Sequence, residues 1–208
     1  MDCLSFNPKM WMLSYCRCRS GVSPELGKST NRSCQIWESK LSAICEIWRA
    51  QCSKSNSAAT VNPVKLSWED FSRLPRVAIT SDFHCVTRWS RFDNHWEGVA
   101  FREIMKLAVP EQATKYLLAH AEQGYTANIP LADLDRDNVL LATHHDGRPL
   151  EPEHGYPLRL IVPHLYAWKS VKWVRGFEFL ESDEPGFWEQ NGYHMHGDPW
   201  QEQRYDTD

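Results

Sequence analysis

Six of the seven cysteines, Cys3, Cys16, Cys18, Cys34, Cys45 and Cys52, fall in the first 60 residues of a 208-residue chain, and only Cys85 lies beyond them. The segregation divides the chain into two differently made parts. The first 60 residues carry eight Lys plus Arg against four Asp plus Glu, whereas the remainder carries 15 against 23. Eleven serines and no sustained apolar period leave the first part little with which to specify a packed core. Cys16-x-Cys18 is its one close pair, no CxxC occurs, and an odd total argues against a closed disulfide scaffold. The expectation is an atypical, poorly ordered segment over residues 1–60 and one folded domain over residues 61–208.

Charge and hydropathy remove two function classes. A net charge of −4 offers no general attraction to phosphate backbones or anionic lipid, so no nucleic-acid role is expected. No stretch approaches the roughly 18 consecutive apolar residues of a spanning helix, so no membrane span is expected. Asn7, Pro8 and Lys9 interrupt the N-terminal apolar positions and make a poor signal peptide, which points to a cytoplasmic location.

From Asn62 the local signals become regular. Ser67-Trp68-Glu69-Asp70 is a capping-box-like start to a short helix that runs to about Leu74 and stops at Pro75. Arg76 to Cys85 places Val77, Ile79, Phe83 and Cys85 at odd positions, the period of a strand with one buried face. Phe101, Ile104, Met105 and Ala108 predict an amphipathic helix over residues 98–108, ended by Pro110. Tyr116 to Ala121, Val139 to Thr143, Leu158 to Val162 and Lys169 to Glu181 read as strands, and Asp146-Gly147 as a tight turn. The sum is an α+β domain dominated by strands. Neither a Gly-x-Gly-x-x-Gly nor a P-loop pattern occurs.

Three groups of residues could carry chemistry. Cys85 has His84 beside it and Arg88 and Arg91 three and six residues later, cationic neighbours that favour a thiolate, which serves as a nucleophile or a soft metal ligand. The alternative is an inert cysteine at a strand end. A Cys85–His84 nucleophile pair meets a geometric objection, because adjacent strand residues face opposite ways. The second group spans Glu151 to Pro163 and Trp168 to Trp173. Arg159 lies inside an apolar run, where an unpaired charge is expensive, and with Lys172 and backbone N–H groups it suits a phosphate-bearing ligand. The third group, His144-His145 and His194-Met195-His196, lacks the carboxylate spacing or HExxH helix of a zinc hydrolase.

Taken together, DFHCVTRWS, the run HDGRPLEPEHGYPLRLIVPHLYAWKSVKWVRGFEFL and the ending GFWEQNGYHMHGDPW resemble the molybdopterin-dependent oxidoreductases of the sulfite oxidase family, most of all its short, single-domain bacterial members. The resemblance extends from about Asn62 to Tyr205, and it implies a sulfite-oxidase-type molybdopterin-binding domain. It implies a molybdenum-molybdopterin cofactor, a pyranopterin dithiolene, with Cys85 as the protein's ligand to molybdenum. His154 and Arg159 would contact the pterin and its phosphate, and Ser170, Val171 and Lys172 would add further contacts. The implied reaction is oxygen-atom transfer to or from a small-molecule substrate, a sulfur compound or oxyanion, with Arg88 and Arg91 as candidates for steering it. A separate electron-transfer partner, haem-containing or another redox protein, is expected, since no internal electron acceptor is recognised. Residues 1–60 show no match to the segment that normally precedes the WEDF-like helix, and the alternative is a non-catalytic or degenerate molybdopterin-binding scaffold.

Overall fold

A computed structural model describes residues 64–208. The readings made for residues 1–60 and their six cysteines lie outside the described residues. The first element, α1 (Trp68–Ser72), opens on the expected capping box: Ser67 Oγ accepts from the Asp70 N–H at 3.0 Å, and the Asp70 carboxylate accepts from the Ser67 N–H. Its Phe71 is buried. Strand β1 (Arg76–His84) follows and ends one residue before Cys85.

The next strand, β2 (Ser90–Ala100), pairs antiparallel with β1 and was not legible in the sequence. Its first half, Ser-Arg-Phe-Asp-Asn-His, is polar and largely exposed, and alternation appears only where Asn94, Trp96 and Gly98 turn inward. The helix predicted over residues 98–108 is correspondingly shorter: α2 spans Phe101–Ala108, because Gly98 to Ala100 complete β2. Gly98 is held in the sheet by close backbone approach. A Cβ there would lie 2.0 Å from the Leu141 carbonyl oxygen.

Strand β3 (Tyr116–Ala121) falls where its pattern puts it, and it forms a hairpin with β4 (Thr126–Pro130), followed by the single turn α3 (Leu131–Leu134). Next come β5 (Leu140–His145), the two-residue β6 (Arg148–Pro149), β7 (Arg159–Ile161) and β8 (Val174–Leu180). Asp146 and Gly147 both have positive φ, 50° and 73°, the conformation that a two-residue hairpin between β5 and β6 demands. The reading of Lys169 to Glu181 as one strand is corrected: Ala167–Lys169 is a 3-10 turn and β8 begins only at Val174. Two antiparallel sheets result. One has the order β1-β2-β5-β6, with β7 also on β5; the other has the order β4-β3-β8. The fold is the strand-dominated α+β architecture expected.

The main apolar cluster joins Val99, Phe101, Leu117, Ile129, Leu141, Leu160 and Phe177, and a second, smaller one joins Trp96, Leu140, Leu150 and Ile161. A buried charge lies among these elements. Lys169 Nζ donates to Asn128 O and Oδ1, both at 2.8 Å, and to Met195 O at 2.7 Å, and it pairs with Glu189 Oε1 at 2.6 Å. Trp168 Nε1 also donates to that Glu189 oxygen, at 2.7 Å. Removing one member of such a pair leaves a buried, uncompensated charge. Lys169→Met is expected to lose about 3–5 kcal/mol in urea denaturation, and adding Glu189→Gln should recover part of it.

Candidate cofactor and active site

Strand β1 delivers Cys85 to a tight turn. The Cys85 N–H donates to Trp89 O at 2.9 Å, the Arg88 N–H donates to Cys85 O at 3.1 Å, and Arg88 takes a left-handed φ of 68°. The sulfur is partly exposed, and Cys85 is the one free cysteine among the described residues. Thr87 Oγ1 lies 3.0 Å from Sγ, so when the sulfur is a thiolate the hydroxyl must be the donor. In the tail, burial, then Tyr205 and least of all Cys85, hold the Tyr193 phenol above the usual tyrosine range.

The second group gathers around β7. Arg159, opposite Ala142 of β5, is buried, and its guanidinium lies 4.9 Å from the centre of the Phe83 ring and 5.5 Å from that of Trp96. Phe83 is two residues before Cys85, so the stacked guanidinium and the cysteine turn share one end of β1. Among the described residues Arg159 makes one long hydrogen bond, from Nη1 to His154 O at 3.3 Å, and its Nε has no partner. Burial brings its pKa down to about 10.

Residues 170–174 run beside β7. Leu160 N–H donates to Val171 O at 2.8 Å, Val162 N–H to Ser170 Oγ at 2.9 Å, and Val174 N–H to Leu158 O at 3.0 Å. Ser170 and Val171 are thereby buried. Lys172 is left beside Arg159, its Nζ donating to Glu153 O at 3.1 Å and lying 4.6 Å from the centre of the Trp173 ring. Burial, with the charge of Arg159 added and that of Glu153 opposing, pushes Lys172 down to about 8. Gly155, at φ 109°, packs directly on it, with room for nothing larger: a Cβ would sit 3.0 Å from Lys172 Cβ. The structure thus brings together His154, Arg159, Ser170, Val171 and Lys172, with two half-paired cations at the centre. Among the described residues neither cation forms an ion pair with a carboxylate.

Arg88 and Arg91 are not equivalent. Arg91 is exposed and paired with Asp146 at 2.5 Å, whereas Arg88 is exposed with no carboxylate partner among the described residues. The histidines near the tail are absorbed by hydrogen bonding. His194 Nδ1 accepts from the N–H groups of His196 and Gly197, and His196 Nε2 donates to Asp133 at 2.8 Å. Burial pushes the Asp133 carboxyl up, but bonds from His164 and His196 outweigh it and hold the group well below the ordinary carboxylate range. Tyr193, Thr87 and Arg204 went unnoticed in the sequence: Thr87 looks like an ordinary turn residue, and the other two lie in a tail without a period.

An anion placed between Arg159 and Lys172 favours the protonated lysine, whose free-state pKa lies near 8. Below that pH the charge is already present; above it, binding must take up a proton. Inorganic phosphate titrated calorimetrically into cofactor-free protein should bind up to about tenfold more weakly per pH unit above pH 8, and Lys172→Gln should abolish that slope.

The chain matches the family model described as the oxidoreductase molybdopterin-binding domain over residues 48–188. It is 52% identical over 147 residues to the uncharacterised oxidoreductase YuiH of Bacillus subtilis, a match covering 71% of this chain and 74% of that protein. It is 32% identical over 107 residues to the mitochondrial sulfite oxidase of Drosophila melanogaster, covering 47% of this chain but only 19% of the longer enzyme. Among solved structures, the sulfane dehydrogenase SoxCD from Paracoccus pantotrophus superimposes with a TM-score of 0.56 at 17% identity, over 84% of this chain and 61% of that one. The strand-dominated fold, the family model and the YuiH relationship together establish that this chain belongs to the sulfite oxidase family of molybdenum-molybdopterin oxidoreductases.

Proposed function

We propose that this enzyme catalyses oxygen-atom transfer to or from a small sulfur-containing or oxyanion substrate, with Cys85 as the protein ligand to molybdenum. The observation that carries the reading is the buried Arg159 guanidinium, with an unpartnered Nε, beside Lys172. A buried guanidinium beside a half-buried ammonium, neither ion-paired with a carboxylate among the described residues, is unfavourable unless an anion completes the site, and the phosphate of a pterin cofactor is such an anion. The soft Cys85 sulfur at the end of the strand that carries Phe83 is the matching donor for a thiophilic metal. The residues present therefore fit the cofactor of the family.

In this reading His154 and Arg159 hold the pterin and its phosphate, while Ser170, Val171 and Lys172 complete that cradle. When bound, the cofactor supplies a two-electron redox couple and oxygen-atom exchange. The chain's own residues bind and orient. Thr87 donates a hydrogen bond to the Cys85 thiolate and draws off part of its charge. Tyr193, kept as a phenol by burial, retains a hydroxyl proton that it can donate to a substrate oxygen. Arg88 and Arg91 steer an oxyanion toward the turn, and Arg88, free of a carboxylate, contributes more of that attraction. Electrons are exchanged with a separate redox protein.

Elemental analysis and turnover test the proposal. Protein made in a host able to supply the cofactor should hold about one molybdenum per chain and turn over sulfite or a sulfoxide. Cys85→Ser should fold, yet lose turnover to background; a Cys85→Ser protein with undiminished molybdenum and turnover would sink the assignment. Arg159→Met, which removes the cation while keeping apolar bulk, should lower molybdenum content with Cys85 intact.

A further inference from the structure

The C-terminal tail reaches back to the cysteine turn. Arg204 Nη1 donates to the carbonyl oxygen of Val86 at 2.9 Å, a contact between residues 118 apart in sequence. Val86 immediately follows Cys85, and among the described residues its carbonyl has no other hydrogen-bond donor. The Arg204 side chain is 13% exposed, and its guanidinium lies 4.9 Å from the centre of the Tyr166 ring. The backbone around Arg204 is itself tied down. Its carbonyl accepts from the His194 N–H at 3.2 Å, and the N–H groups of Arg204 and Tyr205 donate to Asp208 Oδ2 at 2.9 and 2.7 Å. A bridge pairs Tyr193 with Tyr205, and Trp200 packs edge-on to His84 with ring centres 5.2 Å apart. The tail thus touches the turn on both sides of Cys85.

The turn needs such support. Arg88 sits at φ 68°, a conformation that costs a non-glycine residue about 1 kcal/mol or more, and the turn has only two backbone hydrogen bonds of its own. We propose that Arg204 is a positioning residue for Cys85: by holding the Val86 carbonyl it fixes the turn that presents the sulfur, without touching cofactor or substrate. The proposal rests on the assignment of Cys85 as the metal ligand, but the geometry it describes belongs to the cofactor-free chain.

The test uses the full chain without cofactor and three variants. Arg204→Met keeps bulk against Tyr166 but has no donor, Arg204→Lys keeps a donor and a cation, and Trp200→Ala removes the second contact. Hydrogen–deuterium exchange by mass spectrometry reads the 84–90 peptide, and iodoacetamide labelling, resolved by peptide, reads Cys85. Arg204→Met is expected to exchange and label about tenfold faster at this turn while the amides of β3 to β5 keep wild-type protection, with Arg204→Lys restoring most of the difference and Trp200→Ala falling between. In loaded protein, Arg204→Met should alter the electron paramagnetic resonance of the reduced metal at unchanged molybdenum content. Wild-type exchange and labelling in Arg204→Met would overturn the proposal. Acceleration spread equally over the domain would also overturn it, by making Arg204 a residue of general stability. Failure of Cys85→Ser to lose turnover would instead strike the ligand assignment and leave the turn measurements standing.

Discussion

The site rests on a lysine that never reaches solvent. Lys169 has three N–H donors and meets four acceptors: both oxygens of Asn128 on β4, the Met195 carbonyl in the tail and the Glu189 carboxylate. Desolvating an ammonium costs several kcal/mol, so the arrangement is tolerable only when all of these partners are in place at once. It therefore specifies geometry more than it adds stability. Sheet β4-β3-β8, the 3-10 turn at residues 167–169 and the tail are locked in one arrangement, and the next three residues are Ser170, Val171 and Lys172. The cradle leaves the lock in a fixed direction.

Arg159 and Lys172 obey the opposite logic only a short distance along the chain. Arg159 is buried and Lys172 half-buried, and burial depresses both pKa values, yet among the described residues each donates a hydrogen bond only to a backbone carbonyl. Stacking on Phe83 and Trp96 recovers some of what the guanidinium loses, because its faces are weakly hydrated. No such compensation reaches Nε. A domain that surrounds Lys169 with four acceptors can satisfy a buried cation, and the incomplete pairing at Arg159 is what the proposed cofactor phosphate would complete. That contrast within one fold carries more weight than either residue alone.

Much of the fold was legible because local signals agreed with tertiary structure. The Ser67 capping box, the odd-numbered apolar positions of β1, the Asp146-Gly147 turn and the strand at Tyr116 each carry their own stereochemical cause. Arg159 was legible for an energetic reason, as a charge inside an apolar run. What escaped notice was set by partners far away in sequence. Strand β2 is polar where it borders the hairpin, and only its pairing with β1 makes it a strand. Lys169 looks like part of a strand until Glu189 and Asn128 bend the chain around it. Tyr193 and Arg204 lie in a stretch with no period, and only their contacts give them meaning.

These distant contacts explain why the cysteine turn and the tail belong together. Strand β1 can deliver Cys85 to the right end of the sheet, but a strand does not set the course of the chain beyond its last residue. The turn's own two hydrogen bonds close it without orienting it against the rest of the domain. Orientation must come from groups outside β1, and the tail supplies two of them: Trp200 against His84 and Arg204 on the Val86 carbonyl. The same tail gives Lys169 its Met195 and Glu189 partners. One unperiodic segment thus ties the Ser170–Lys172 stretch, which follows Lys169, and the Cys85 turn to a common anchor. Were Cys85 to hold the metal and the Arg159–Lys172 pair the cofactor phosphate, as proposed, that shared restraint would keep the two groups in register.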